Sequence, residues 1–364
     1  MSDSAPCVSD AADITAADTV PPVDHTPDLS GHAPDLSGHA PARASLLLPA
    51  LAALGAVTLW GLSFPAMKVA VQALGPMPLM WARMMVAMTL LAPFATRLFP
   101  SRTVAVAPSG TLVRRGFWSG VPRRHKLLLV PTVLLQPCLY FLCESNAMQL
   151  TTASQAGVIS ASVPLLVGAG AWLFLGERPS PRLWVGVAFS CTGVAWLTLS
   201  GGAGTEAAPD PLLGNILELL AMACAAGNMV LVRRLSAHGG HGGRGEHGGF
   251  RWNPWTLTAL QTLAGALFFA PGAYAVLAGA GQWPADVVLA VIYLGAGSSL
   301  GAFGLFNWAT SHLPASSVGA FINLVPVAAV GFGWLWLGET LNATQMLAAG
   351  VVMVGVALGT GRSR

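Results

Sequence analysis

Charge is what this chain has least of. Asp, Glu, Lys and Arg make up 9% of its 364 residues, where a soluble domain carries about 25%. That scarcity excludes a soluble globular domain. The net charge of +3 is small and thinly spread, which excludes nucleic acid as a partner. Cysteine is sparse as well. The five thiols, Cys7, Cys138, Cys143, Cys191 and Cys224, include no CxxC pair, so no disulfide framework and no metal site is implied. The sequence holds no HExxH and no Walker loop, so it offers neither a zinc-peptidase centre nor an ATP-hydrolysing part. The chain is read as a non-enzyme that needs no cofactor.

Residues 1–44 are short of something different, having almost no large apolar side chains. They carry seven Asp among Ala, Pro and Ser, and PDLSGHA at 27–33 recurs unchanged at 34–40. Such a segment cannot bury enough apolar surface to fold. It has no basic n-region and no apolar h-region, so it does not read as a signal peptide. The expectation is a disordered cytoplasmic tail with His25, His32 and His39 solvated.

Apolar length is abundant: 54% of the residues are apolar. A helix needs about 20 such residues to cross a bilayer. Ten stretches qualify, near 46–68, 78–99, 127–147, 153–175, 182–200, 212–232, 255–277, 287–309, 315–337 and 343–360. Pro65, Pro93, Pro131, Pro137, Pro164 and Pro326 fall inside them, and in membranes such prolines mark kinks or moving parts. With the N-terminus inside, 16 of the 18 Lys and Arg residues fall on the cytoplasmic side. The exceptions, Lys68 and Arg83, lie in or at the ends of spans. The positive-inside rule then predicts a multi-pass protein of the cell membrane. Both termini and the Gly/His-rich loop 236–250 are expected inside, and 203–208 outside.

The chain also repeats itself. Residues 145–177 align with 307–339 without gaps at a shift of 162, and 11 of the 33 positions are identical. They include Ala153/Ala315, Ser154/Ser316, Pro164/Pro326, Trp172/Trp334 and the terminal Leu175-Gly176-Glu177/Leu337-Gly338-Glu339. The same shift pairs Gly193 with Gly355. The unit is five helices, an odd number, so the second copy enters the membrane upside down. Charge agrees: Arg178 and Arg182 follow the fourth span, and Thr340 and Thr344 hold the equivalent places. The fold class is therefore all-α and polytopic, with ten transmembrane helices in two inverted five-helix repeats at 45–200 and 211–361. Inverted repeats are a recurring plan of secondary transporters.

With Leu59-Trp60-Gly61, Phe64 and Lys68 in the first span and Trp81-Ala82-Arg83 in the second, these motifs resemble the ten-helix EamA-type branch of the drug/metabolite transporter superfamily. The resemblance covers most of 46–360. It implies a transporter of small metabolites, often an exporter, working by alternating access. The acidic tail and the long 236–250 segment depart from the family's usual layout.

Four ionisable residues sit in the spans: Lys68, Arg83, Glu144 and Glu218. Charges there are costly, and each is a candidate for function. At about 1.5 Å per residue, Arg83, Glu144 and Glu218 lie roughly 7–10 Å below the outer surface. Lys68 reads as an end residue that snorkels. Gln136, Tyr140 and Glu144 recur every fourth residue and so share a helix face, which favours Glu144 as the group lining a pathway. Glu218 has Asn215 on its face. Asn307 and Asn323 add hydrogen-bonding groups in the eighth and ninth spans. Pro164 and Pro326 are expected at equivalent helix bends.

The resulting expectation is a secondary transporter for a small-molecule substrate, acting in the lipid bilayer as a monomer or homodimer. The first choice is export of an amino acid-like or drug-like compound, with proton coupling as one option. The alternatives are a sugar or nucleotide-sugar exchanger or importer, a membrane-embedded enzyme, and a non-transporting receptor or scaffold.

Overall fold

The computed structural model describes residues 43–99, 102–106, 112–115, 117–176, 180–200, 206, 208–237, 252–279, 281–310, 312–313 and 321–360. The tail through residue 42, the loop 238–250 with its three histidines, and the Glu177–Arg178 turn lie outside the described residues, as does the side chain of Asn307.

Among the described residues, ten apolar helical segments fall at the places of the expected spans. They are α1 (Arg43–Leu74), α2 (Pro76–Leu91), α3 (Arg123–Leu150), α4 (Ala153–Ser160 and Val163–Leu175), α5 (Pro181–Leu199) and α6 (Pro211–Ala237). The others are α7 (Pro254–Phe268, continued by Ala273–Ala278), α8 (Ala285–Phe306), α9 (Val325–Leu337) and α10 (Ala343–Thr360). Seven have full spanning length, α4 and α7 are pairs bent by 41° and 57°, and α9 is a shorter apolar helix. A two-stranded antiparallel hairpin, β1 (Arg102–Val106) and β2 (Leu112–Arg115), interrupts the connection from α2 to α3. Helix starts follow simple chemistry. Pro76, Pro181, Pro211 and Pro254 each open a helix, where the missing N–H has no partner to lose.

The two repeats match in backbone detail. Pro164 and Pro326 each occupy the first turn of the helix that follows a break, at Ala161–Ser162 and at Asn323–Leu324. Each of these helices ends on a left-handed glycine, Gly176 at φ 68° and Gly338 at φ 65°, the conformation that suits a residue without Cβ. A proline in the first turn removes no helical hydrogen bond, so the breaks precede the prolines rather than sit on them. Helix α3 is interrupted within Leu134–Leu139, where the backbone leaves the helix at Gln136, and α8 is widened by a π-helical stretch at Tyr293–Ala302; a shift of 162 carries the first stretch into the second.

The repeats meet on glycine. A Cβ on Gly193 of α5 would stand 2.8 Å from the Val352 nitrogen and 3.0 Å from the Ala348 oxygen of α10. A Cβ on Gly355 of α10 would stand 2.7 Å from the Ser190 nitrogen and 2.8 Å from the Gly186 oxygen. The shift that carries Gly193 onto Gly355 also carries Ser190 onto Val352 and Gly186 onto Ala348. The contact is thus its own image under the two-fold that relates the repeats, and small residues let the backbones approach. In the same way α1 packs on α9 and α8, while α6 packs on α4 and α3.

Two apolar clusters fill the bundle. One joins α1, α2, α3, α7 and α8, with Ala153 and Ala156 of α4 and Ala329 of α9, around Met67, Leu79, Met80, Met148 and Leu294; the other joins α4, α5, α6 and α10 around Ile159, Leu165, Leu197 and Val352. The outer surface is apolar as well: Leu173, Phe174, Leu267, Trp334 and Leu335 are more than half exposed. In water such a surface is an aggregation hazard; in a bilayer it faces lipid.

Candidate functional site

The site grows from α2, α3 and α6, which carry three of the four ionisable residues in the spans. Arg83 of α2 is 5% exposed, Glu144 of α3 4% and Glu218 of α6 0%. The Arg83 guanidinium lies over the Phe141 ring at 4.2 Å, a cation–π contact, and its Nε donates to Ser299 Oγ at 3.0 Å. Ser299 reaches Arg83 because α2 and α8 touch closely: a Cβ on Gly295 would meet the Arg83 carbonyl oxygen at 2.8 Å. On α3 the Tyr140 hydroxyl donates to Glu144 Oε1 at 2.6 Å. Arg83 and Glu144 lie within electrostatic reach of each other, and Glu218 within reach of Glu144. Four atoms of this group are buried without a hydrogen-bond partner among the described residues: Arg83 Nη1, Glu144 Oε2 and both carboxylate oxygens of Glu218.

The sequence Gly297-Ser298-Ser299-Leu300-Gly301 has the spelling of a GxSxG nucleophile elbow. That motif needs a strand-to-helix turn. Here the run lies within the π-helical part of α8, and Ser299 Oγ donates to the Leu294 carbonyl at 2.9 Å.

A second polar group occupies the nearby end of the bundle. Lys68 is 3% exposed and does not snorkel, because α1 runs six residues further, to Leu74. Its Nζ donates to the Thr151 carbonyl at 2.6 Å. Glu339, in the turn after α9, accepts from Ala153 N at 2.9 Å, Ser154 N at 2.8 Å and Ser154 Oγ at 2.8 Å. A carboxylate thus caps the N-terminus of α4, where unpaired N–H groups and the helix dipole favour an anion. Lys68 and Glu339 attract one another. Beside them Thr151 Oγ1 bonds Asn215 Oδ1 at 2.7 Å, and Asn215 Nδ2 donates to Gln155 Oε1 and to Thr198 Oγ1, each at 2.9 Å.

Gln136 belongs to a third group. Its backbone leaves the helix at φ −140°, ψ 121°, which turns it off the face of Tyr140 and Glu144. Its side chain accepts from Asn228 Nδ2 at 2.8 Å, and Gln261 Nε2 donates to its carbonyl and to Asn228 Oδ1, both at 3.1 Å. Of the expected site residues, then, Arg83, Tyr140, Glu144 and Glu218 come together, whereas Gln136 stands apart with Asn228 and Gln261. Asn215, the expected neighbour of Glu218, serves the Thr151 network instead. Asn323 is half-buried in the turn before α9. Ser299, Phe141 and Glu339 were not read as site residues; for Glu339 the signal was present, in the repeated Leu-Gly-Glu.

The chain belongs to the EamA-like transporter family, whose profile matches residues 47–199 and 212–360. It is similar to the uncharacterized transporter YetK of Bacillus subtilis, with 24% identity over 60% of this chain and 63% of that one. It is similar to the threonine/homoserine exporter RhtA of Escherichia coli, with 32% identity over 50% of this chain and 55% of that one. It is also similar to a probable terminal-alkyne amino-acid exporter of Streptantibioticus cattleyicolor, with 24% identity over 83% and 90%. The match thus spans less than two thirds of YetK and of RhtA. Family and relatives are transporters, with a membrane setting and small-molecule substrates.

Proposed function

We propose that this protein is a secondary transporter that exports a small amino acid-like metabolite across the cell membrane by alternating access, in exchange for protons. The observation that carries the reading is the Arg83–Glu144–Glu218 group. Its charges are buried at membrane depth, are of both signs, and have atoms left without partners. Burying a charge without a partner costs several kcal/mol, so such a group is expected where a polar cargo passes. Two relatives named as amino-acid exporters support the substrate class.

The protein is oriented with both termini in the cytoplasm, so the Lys68–Glu339 end faces outside. Glu339 then latches the second repeat to α4 of the first on the external side, and opening that side breaks its three hydrogen bonds. The broken helices α3, α4 and α9 and the widened helix α8 supply the bending parts. Glu144 is held by Tyr140 and attracted by Arg83, and acts as an anchor. Glu218 has both oxygens free of hydrogen bonds among the described residues, and takes up and releases the proton.

The test is purified protein in liposomes with radiolabelled L-threonine, the other amino acids and a set of cationic and neutral drugs, with and without a pH gradient. The expected result is amino-acid accumulation driven by the gradient. Movement of none of these compounds would overturn the function, and movement indifferent to the gradient would remove proton exchange.

A further inference from the structure

The Arg83–Glu144–Glu218 group holds more information than the presence of charge. Arg83 and Glu144 are each held on one side and free on the other. The guanidinium is fixed by Ser299 at Nε and by the Phe141 ring, leaving Nη1 without a partner. The Glu144 carboxylate is fixed by Tyr140 at Oε1, leaving Oε2 without a partner. Glu218 adds two more free oxygens of the same sign. Two opposite charges buried this deeply would gain most by closing on each other, because Coulomb attraction strengthens in a medium of low dielectric. Their free atoms are nevertheless left unpaired. Fixed side chains with complementary free atoms are what a preorganised binding site requires.

We propose that these residues form a two-part site for a zwitterion: Arg83 Nη1 receives a carboxylate, and Glu144 Oε2 with Glu218 receives the ammonium of the same molecule. In an α-amino acid the two groups are joined through a single carbon, two bonds of about 1.5 Å apart. One small ligand thus carries both of the charges that the partnerless atoms call for. The free atoms demand a carboxylate and an ammonium together: a simple cation leaves Arg83 Nη1 unpaired, a simple anion leaves the carboxylate oxygens unpaired, and an uncharged sugar offers neither charge. Net charge is conserved as well, because a zwitterion brings none. Glu218, with no fixing hydrogen bond, is then the oxygen pair for which a proton and the ammonium compete, and that competition links the two flows in opposite directions.

This inference rests on the proposed export of an amino acid-like compound and names the two ends of the cargo. The experiment is counterflow of radiolabelled L-threonine into liposomes, competed by unlabelled L-threonine, its methyl ester, which lacks the carboxylate, and N-acetyl-L-threonine, which lacks the ammonium. If another of the twenty amino acids is moved faster, that amino acid and its two derivatives replace the set. In the unmodified protein each derivative should compete about tenfold to a hundredfold more weakly than the parent. Arg83→Gln should erase the advantage of the parent over the ester but keep its advantage over the N-acetyl form. Glu144→Gln should do the reverse. Equal competition by the ester or the N-acetyl form in the unmodified protein overturns the zwitterion site while leaving export standing, and needs no variant to fold. Folded variants that keep both advantages also overturn it. If none of the twenty amino acids moves, the proposed function itself falls, and the site with it.

Discussion

Two polar groups lie at the same end of this bundle, built from the same kinds of residue, and they differ in how they are paired. Lys68, Thr151, Gln155, Asn215 and Glu339 form a connected lattice in which each bonds to another member or to backbone. Arg83, Glu144 and Glu218 are equally buried, yet leave four atoms unsatisfied among the described residues. A satisfied lattice holds helices together; an unsatisfied one costs stability and persists where something else completes it. Burial and charge alone do not separate a brace from a site. The pairing of each atom does.

The sharpest way to break that comparison is to neutralise the unsatisfied group and measure transport. In Glu144→Gln the anchor is lost, and accumulation of the cargo should fall by about tenfold to a hundredfold, in line with loss of a charged hydrogen bond. In Glu218→Gln gradient-driven accumulation should fall as far, while exchange of labelled for unlabelled cargo continues. Measuring both rates in liposomes at matched protein content checks this. If both variants answer a pH gradient as the unmodified protein does, neither carboxylate carries the proton.

Neutralising the satisfied lattice should act on stability first. Glu339→Gln removes the charge that caps α4 and the attraction it exerts on buried Lys68. A loss of about 2 kcal/mol is expected, seen as a lower unfolding temperature in detergent. If Glu339 also latches the external side, the variant should be easier to label with a membrane-impermeant thiol reagent at a cysteine placed at Asn215. Unchanged stability and labelling would show that the contact neither holds nor latches.

Smaller again is the effect expected at the helix breaks. Pro164→Ala and Pro326→Ala should slow transport severalfold without lowering expression to the same degree, because each proline stiffens the start of a half-helix that follows a break. Equal turnover in both single variants and in the double variant would remove the idea that these breaks move.

Much of this layout was legible in the letters. Helix count and repeat follow from apolar length and from the register of Pro164/Pro326 and Leu-Gly-Glu, because lipid forces every span into a helix. The gathering of Arg83, Tyr140, Glu144 and Glu218 followed from depth and from the spacing of Tyr140 and Glu144. Gln136 was misplaced because helical periodicity assumes an unbroken backbone, and the chain leaves the helix at that residue. Lys68 was misplaced because an apolar stretch marks the membrane and not the end of the helix. Glu339 meets Ser154 across 185 positions of chain, and no local pattern reports such a contact. The partnerless atoms themselves are a property of packing alone.

The smallest expected effect separates the two groups most cleanly. If Glu218 were part of a brace, removing its charge would leave a buried cation unpaired, and the cost would be about 3–5 kcal/mol. The charged neighbour within its reach is Glu144, which carries the same sign, and neither of its oxygens accepts a hydrogen bond among the described residues. Glu218→Gln therefore breaks no hydrogen bond and no ion pair among the described residues, and puts an amide of nearly the same shape in its place. Its unfolding temperature should equal or slightly exceed that of the unmodified protein, while Glu339→Gln falls below it. Measured side by side in the same detergent and at the same pH, a fall in Glu218→Gln as large as that in Glu339→Gln would place Glu218 in the scaffold and collapse the distinction between the two groups.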